Sequence, residues 1–133
     1  MKIKTSELIG AALDYAVAIA KGIPATDLKL PTYKGDRLFR YLRDEAGDLN
    51  GAYITGPELL FSSRWGAGGP VIQLEKITVG PWDTSPFGAH YGTADTVNSI
   101  NPRVVGPTHL IAGMRCYCQR KLGDEVEVPK ELL

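Results

Sequence analysis

Charge of one sign is what this sequence lacks. Lysine plus arginine number 15 and aspartate plus glutamate number 15. The balance also holds locally: residues 1–50 carry eight basic and seven acidic side chains, 51–107 three and four, and 108–133 four and four. A nucleic-acid binder draws much of its affinity from a basic excess that neutralises phosphates. That signature is missing, although a basic patch assembled by folding is compatible with a neutral total.

Cysteine is nearly absent. Cys116 and Cys118 are the only two, and both lie in a segment that reads as helix. Residues two apart on a helix point about 160° apart around its axis, so these two cannot bond to each other there, and a reduced, cytoplasmic setting is expected. Long apolar runs are missing too: no stretch approaches roughly 18 uninterrupted apolar residues, so no membrane-spanning helix is expected. The opening Met1-Lys2-Ile3-Lys4-Thr5-Ser6-Glu7 has neither the apolar run nor the cleavage site of a signal peptide.

What is present is an ordinary globular composition. Hydrophobic residues make up 44% of 133, enough for a core and too many for a disordered chain. The length fits one domain over 1–133. A chain of this size buries roughly two-thirds of its unfolded surface and needs no metal or disulfide to stay folded.

Two helices stand out. Over 6–21, Leu8, Ala12, Ala16 and Ile19 form a stripe that Leu13 and Val17 widen, with Thr5 as N-cap and Gly22 as stop. Over 109–122, Leu110, Ile111, Met114, Tyr117, Cys118 and Leu122 form the stripe. Thr108 caps its start, Arg120 and Lys121 suit its last turn, and Gly123 ends it. Leu13, Val17, Ile111 and Met114 are expected in one shared core.

The rest is less periodic. Residues 23–36 read as loop. Residues 37–46 read as a short helix capped by Asp36, with a strand as the alternative; on a helix Arg37, Arg40 and Arg43 line up as a solvated face rather than a phosphate stripe. Strands are expected over 52–61 and 71–79, joined by a tight turn at Trp65-Gly66-Ala67-Gly68-Gly69-Pro70. Residues 80–107, with four Gly and four Pro, read as an irregular loop, and 124–129 as a short edge strand ended by Pro129. The fold class is therefore α+β, two long amphipathic helices packed on a small, mainly antiparallel β-sheet.

Three segments carry a family resemblance. The opening Lys4-Thr5-Ser6-Glu7-Leu8, with Gly10, Leu13-Asp14 and Ala16-Val17-Ala18, resembles the start of the phage NinX-like family. Trp65-Gly66-Ala67-Gly68-Gly69-Pro70 is similar to that family's Trp and Gly-Gly-Pro segment. The best match runs from Gly106-Pro107-Thr108-His109 through Cys116 and on to Lys121-Leu122-Gly123-Asp124-Glu125-Val126-Glu127-Val128-Pro129, while residues 25–60 match least. The resemblance implies a short protein of tailed phages or prophages, working in the cytoplasm of a bacterial host. The family is a domain of unknown function, so the resemblance supplies no reaction and no known catalytic residues.

No catalytic constellation emerges from the residues themselves. His90, His109, Cys116, Cys118 and Asp95 include no Cys-x-x-Cys or His-Glu-x-x-His spacing, so no metal and no cofactor is expected. Ser62, Ser63, Ser85, Cys116, His90, His109, Asp83 and Asp95 permit a nucleophilic triad on paper, but there is no Gly-x-Ser-x-Gly elbow. Gly66–Gly69 offers backbone amides to an anion, yet the Lys and Ser/Thr of a Walker loop do not follow it.

Function is therefore expected at a surface. Trp65, the glycine turn with Gly68 and Gly69, Trp82, His90, Tyr91 and Arg103 are the candidate interaction face, because Trp, Tyr and Arg dominate interface energetics. The expected role is a non-enzymatic binding module for a host or phage macromolecule, protein or nucleic acid. The alternative is a small enzyme with a pocket at 80–109, where His90, Asp95, Arg103 and His109 would have to converge. A third reading is a homo-oligomer built on the small-residue face of the first helix.

Overall fold

The computed structural model describes residues 1–31, 37–54, 59–82, 85–92 and 103–133, with 50–54, 81–82 and 85–86 described by their backbone alone. Asp36, Asp83 and Asp95 lie outside the described residues. The architecture is α+β: helices combined with small antiparallel sheets.

The two ends of the chain meet. Strands β1 (Lys2–Lys4) and β8 (Glu125–Glu127) pair antiparallel with Ile3 opposite Val126. Thr5 fastens this pair: its amide donates to Asp124 O at 2.9 Å, and its hydroxyl lies 3.0 Å from both Gly123 O and Asp124 O. Thr5 is thus not the cap of the first helix. A 3-10 turn covers Thr5–Glu7, and helix α1 spans Gly10–Ala20 rather than 6–21. The interruption falls at Gly10, whose φ of +59° is open to glycine at little cost and opposed in other residues.

Helix α1 is central rather than amphipathic. Ala12, Leu13, Asp14, Ala16, Val17 and Ala18 are all buried, and those positions cover about two-thirds of the way around the axis. The small side chains let neighbouring elements approach from several sides.

Residues 37–46 form no helix. Strand β3 (Phe39–Arg43) pairs antiparallel with β2 (Leu28–Lys29) and β4 (Leu49–Ile54). The arginines therefore share no helical stripe, and Arg43 instead binds Asp27 at 2.6 Å. The strand expected over 52–61 lies at 49–54.

The larger correction concerns the Gly-Gly-Pro region. It is no turn between strands, and 71–75 is no strand: helix α2 spans Trp65–Glu75 with Pro70 inside it. Three glycines and a proline give this segment poor helix propensity, so tertiary contacts must hold it. Val71 and Ile72 are buried. Gly68 lies so close to its neighbours that a Cβ there would stand 2.4 Å from Phe61 O and 2.6 Å from Leu110 Cδ1. A side chain at 68 would force the backbone at Phe61 or the Leu110 side chain to shift.

The expected loop 80–107 contains regular structure. Strand β5 (Ile77–Trp82) pairs with β6 (Ser85–Tyr91), with Thr78 opposite His90, and β6 also pairs with β7 (Val104–Val105). Helix α3 (His109–Leu122) occupies the span expected from its stripe, and the Thr108 side chain accepts from the Ile111 amide at 3.0 Å. There are thus three α-helices among the described residues, not two long amphipathic ones. α3 packs against α1, α2, β5, β6 and β7. Leu13, Val17 and Met114 are fully buried, whereas Ile111 is only half-buried.

Candidate functional site

The site is built from the residue that sequence reasoning passed over. Asp14 is the one acidic side chain inside the apolar α1, which was a signal in itself. It is buried, and its Oδ1 accepts the Ser62 amide at 2.8 Å. Burial pushes its carboxyl up to about 6, although the Ser62 hydrogen bonds pull the other way. This bond pins the turn that leads into α2; Arg64 N donates to Leu60 O within the same turn at 2.9 Å.

With that turn fixed, α2 and α3 begin side by side. Trp65 of the first with Ser62 and Ser63 of the turn before it, and His109, Leu110 and Ile111 of the second with its cap Thr108, line a cleft of about 480 Å³. Phe87 of β6 completes it, meeting the His109 ring edge-on with centroids 4.4 Å apart. Trp65 stands 54% exposed at this cleft. The His109 Nε2 atom is buried and makes no hydrogen bond among the described residues. Three rings and three hydroxyls therefore share one concave surface.

The candidate face does not hold together as one surface. Trp65 begins α2, while Tyr91 lies at its other end, donating its hydroxyl to Glu75 at 3.2 Å. Ten residues of helix separate the two, about 15 Å. The Arg120 guanidinium covers the Tyr91 ring at 4.7 Å, and burial, then the Glu75 charge, raise the Tyr91 hydroxyl well above its ordinary pKa. His90 is fully buried, with Nδ1 3.1 Å from Tyr91 O, and fronts no surface. Gly68 is packed on the inner face of α2 against Phe61 and Leu110; Gly69 lines a separate hollow with Gln73, Lys76 and Thr78. Arg103 is exposed. The Trp82 side chain lies outside the described parts.

The convergence required of an enzyme pocket at 80–109 is not seen among the described residues. The cleft holds His109 but neither His90 nor Arg103. Both cysteines are buried thiols; burial pushes Cys116 up to about 12 and Cys118 higher still, which leaves almost no thiolate for nucleophilic attack. No group of three metal-ligating side chains exists among the described residues, and no described helix is long and apolar enough to cross a membrane.

No curated protein matches the chain. The family model described as Bacteriophage P22, NinX matches residues 4–121, from β1 through α3 and across both walls of the cleft, and the chain belongs to this phage NinX family.

Proposed function

We propose that this phage protein is a non-enzymatic binding module, and that it engages a host or phage protein through the cleft where α2 and α3 begin. The observation that carries the reading is Trp65. A large apolar ring more than half exposed beside a concave, ring-lined cleft is the kind of anchor that dominates protein interfaces. The hydroxyls of Ser62, Ser63 and Thr108 supply the polar contacts that fix register. A protein partner suits the overall charge of zero better than a phosphate backbone does. The protein acts in the cytoplasm of the bacterial host, as one unit over 1–133.

The test places a photo-crosslinking side chain at position 63 and irradiates phage-infected cells. A discrete protein adduct that disappears when Trp65→Ala is added supports the reading. An adduct indifferent to Trp65→Ala, no adduct, or an adduct to nucleic acid refutes it.

The second reading is a small hydrolytic enzyme, favoured by Ser62, Ser63 and His109 sharing the cleft with Asp14 bonded behind Ser62. It ranks second because His109 Nε2 bonds neither serine. Covalent labelling of Ser62 or Ser63 by a fluorophosphonate would reverse that order.

A further inference from the structure

The other ends of α2 and α3 carry a second concave surface. Both helices start at the Trp65 cleft, and Lys121 near the end of α3 reaches Glu75 at the end of α2 at 3.5 Å, so they run in the same direction and their C-terminal turns lie together with the end of α1. A slot of about 290 Å³ opens between them. Its floor is apolar, made by Val71 and Tyr117, both buried. Leu74 rises at its edge 80% exposed, the most exposed large hydrophobic side chain among the described residues.

The rim is basic. Lys21 and Lys121 both line the slot. The one carboxylate there, Glu75, is already engaged: it accepts from Tyr91 at 3.2 Å and holds Lys121 at 3.5 Å. Lys21 lies 5.5 Å from the Phe61 ring and has no carboxylate partner among the described residues. Cations near helix C-termini are ordinary, since the helix dipole favours them. That explains Lys21, the C-cap of α1, and Lys121, in the last turn of α3. It explains neither a leucine left almost wholly in water nor an apolar slot beside it.

We infer that this slot docks a partner protein's acidic segment, one large apolar side chain entering between Lys21 and Lys121 with carboxylates on either side. The apolar side chain covers Leu74, Val71 and Tyr117, and the carboxylates meet the lysines. The volume suits one or two side chains, so the fit is to a short segment rather than to a broad flat face. Charge complementarity of this kind sets partner choice and speeds encounter. The surface is separate from the Trp65 cleft and stands or falls independently of it.

The test is a selection of displayed random peptides on the immobilised full chain, followed by fluorescence anisotropy with the enriched peptides. The expected sequences pair one leucine, phenylalanine or tryptophan with flanking Asp and Glu. Leu74→Ala and Lys21→Glu should each weaken binding by about tenfold, without a change in melting temperature, since both side chains are exposed. Trp65→Ala should leave it unchanged, which separates this slot from the first cleft. No enrichment, enriched peptides without acidic residues, or affinities indifferent to Leu74→Ala and Lys21→Glu would overturn the proposal. So would equal binding of the wild type and both variants to vesicles of phosphatidylglycerol.

Discussion

The carboxylate of Asp14 holds the backbone amide of Ser62 across 48 residues of sequence, inside the protein and at 2.8 Å. It joins the central helix to the turn that launches α2, and so sets where Ser62, Ser63 and Trp65 stand. A buried carboxylate in this role leaves a measurable trace in pH.

That trace has a definite sign. The folded-state pKa is about 6 against an ordinary 3.8, raised by burial, so the folded protein binds this proton more tightly than the unfolded chain. The contribution is fully present below about pH 4, falls as pH rises through 6, and is flat above it. Two pH units correspond to about 3 kcal/mol. Asp14→Asn retains an oxygen for the Ser62 amide and removes the titration. Denaturant melts from pH 4 to 8 should show the wild type losing stability while Asp14→Asn loses much less, and parallel curves would refute the assignment.

Gly68 and Gly66 make a matched pair within one helix. An added methyl at Gly68 meets Phe61 O and Leu110, whereas nothing lies within 4 Å of one at Gly66. Gly68→Ala should therefore destabilise by about 1–3 kcal/mol through overpacking, despite alanine's better propensity. Gly66→Ala should stabilise by up to about 1 kcal/mol. Equal changes at both positions in urea titrations would mean that α2 is not held by this contact.

The contrast explains what sequence alone made legible. α3 was readable because its signals are local: a threonine cap, a stripe at helical spacing, cations in the last turn and Gly123 after it. α2 was hidden because Gly66, Gly68, Gly69 and Pro70 oppose a helix locally, and what supports it includes Leu110, some forty residues on in the sequence. β6 was hidden by Pro86 and Gly88 within it. Trp65 could be singled out as an exposed anchor, but its companions Phe87 and His109 come from segments that only the fold brings together. His90 could not be placed, since a buried histidine and a surface one look alike in sequence.

The core can be checked through two positions that the helical stripes treated alike. Leu13 is fully buried in α1, while Ile111 is half-buried at the cleft. Leu13→Ala should cost about 2–5 kcal/mol. Ile111→Ala should cost clearly less, under about 2 kcal/mol, because part of its surface is already in water. A larger loss at Ile111 than at Leu13 in chemical denaturation would show that the core is centred elsewhere.

Trp65 and Tyr91 began as members of one surface, and the fold gives them different work. Tyr91 is tied down: its hydroxyl donates to Glu75 and Arg120 covers its ring. Removing that hydroxyl leaves Glu75 with Lys121, at 3.5 Å, as its partner among the described residues. Tyr91→Phe should therefore cost about 1 kcal/mol, the usual worth of one hydrogen bond. Trp65 stands more than half in water at the start of α2, so Trp65→Ala should change stability by less than about 1 kcal/mol while abolishing the crosslink from position 63. The two variants are compared by thermal melts and by crosslinking in the same cells. If Trp65→Ala unfolds the protein, the ring belongs to the core. If Tyr91→Phe removes the crosslink with its fold intact, binding extends along the whole of α2 instead of centring on its first turn.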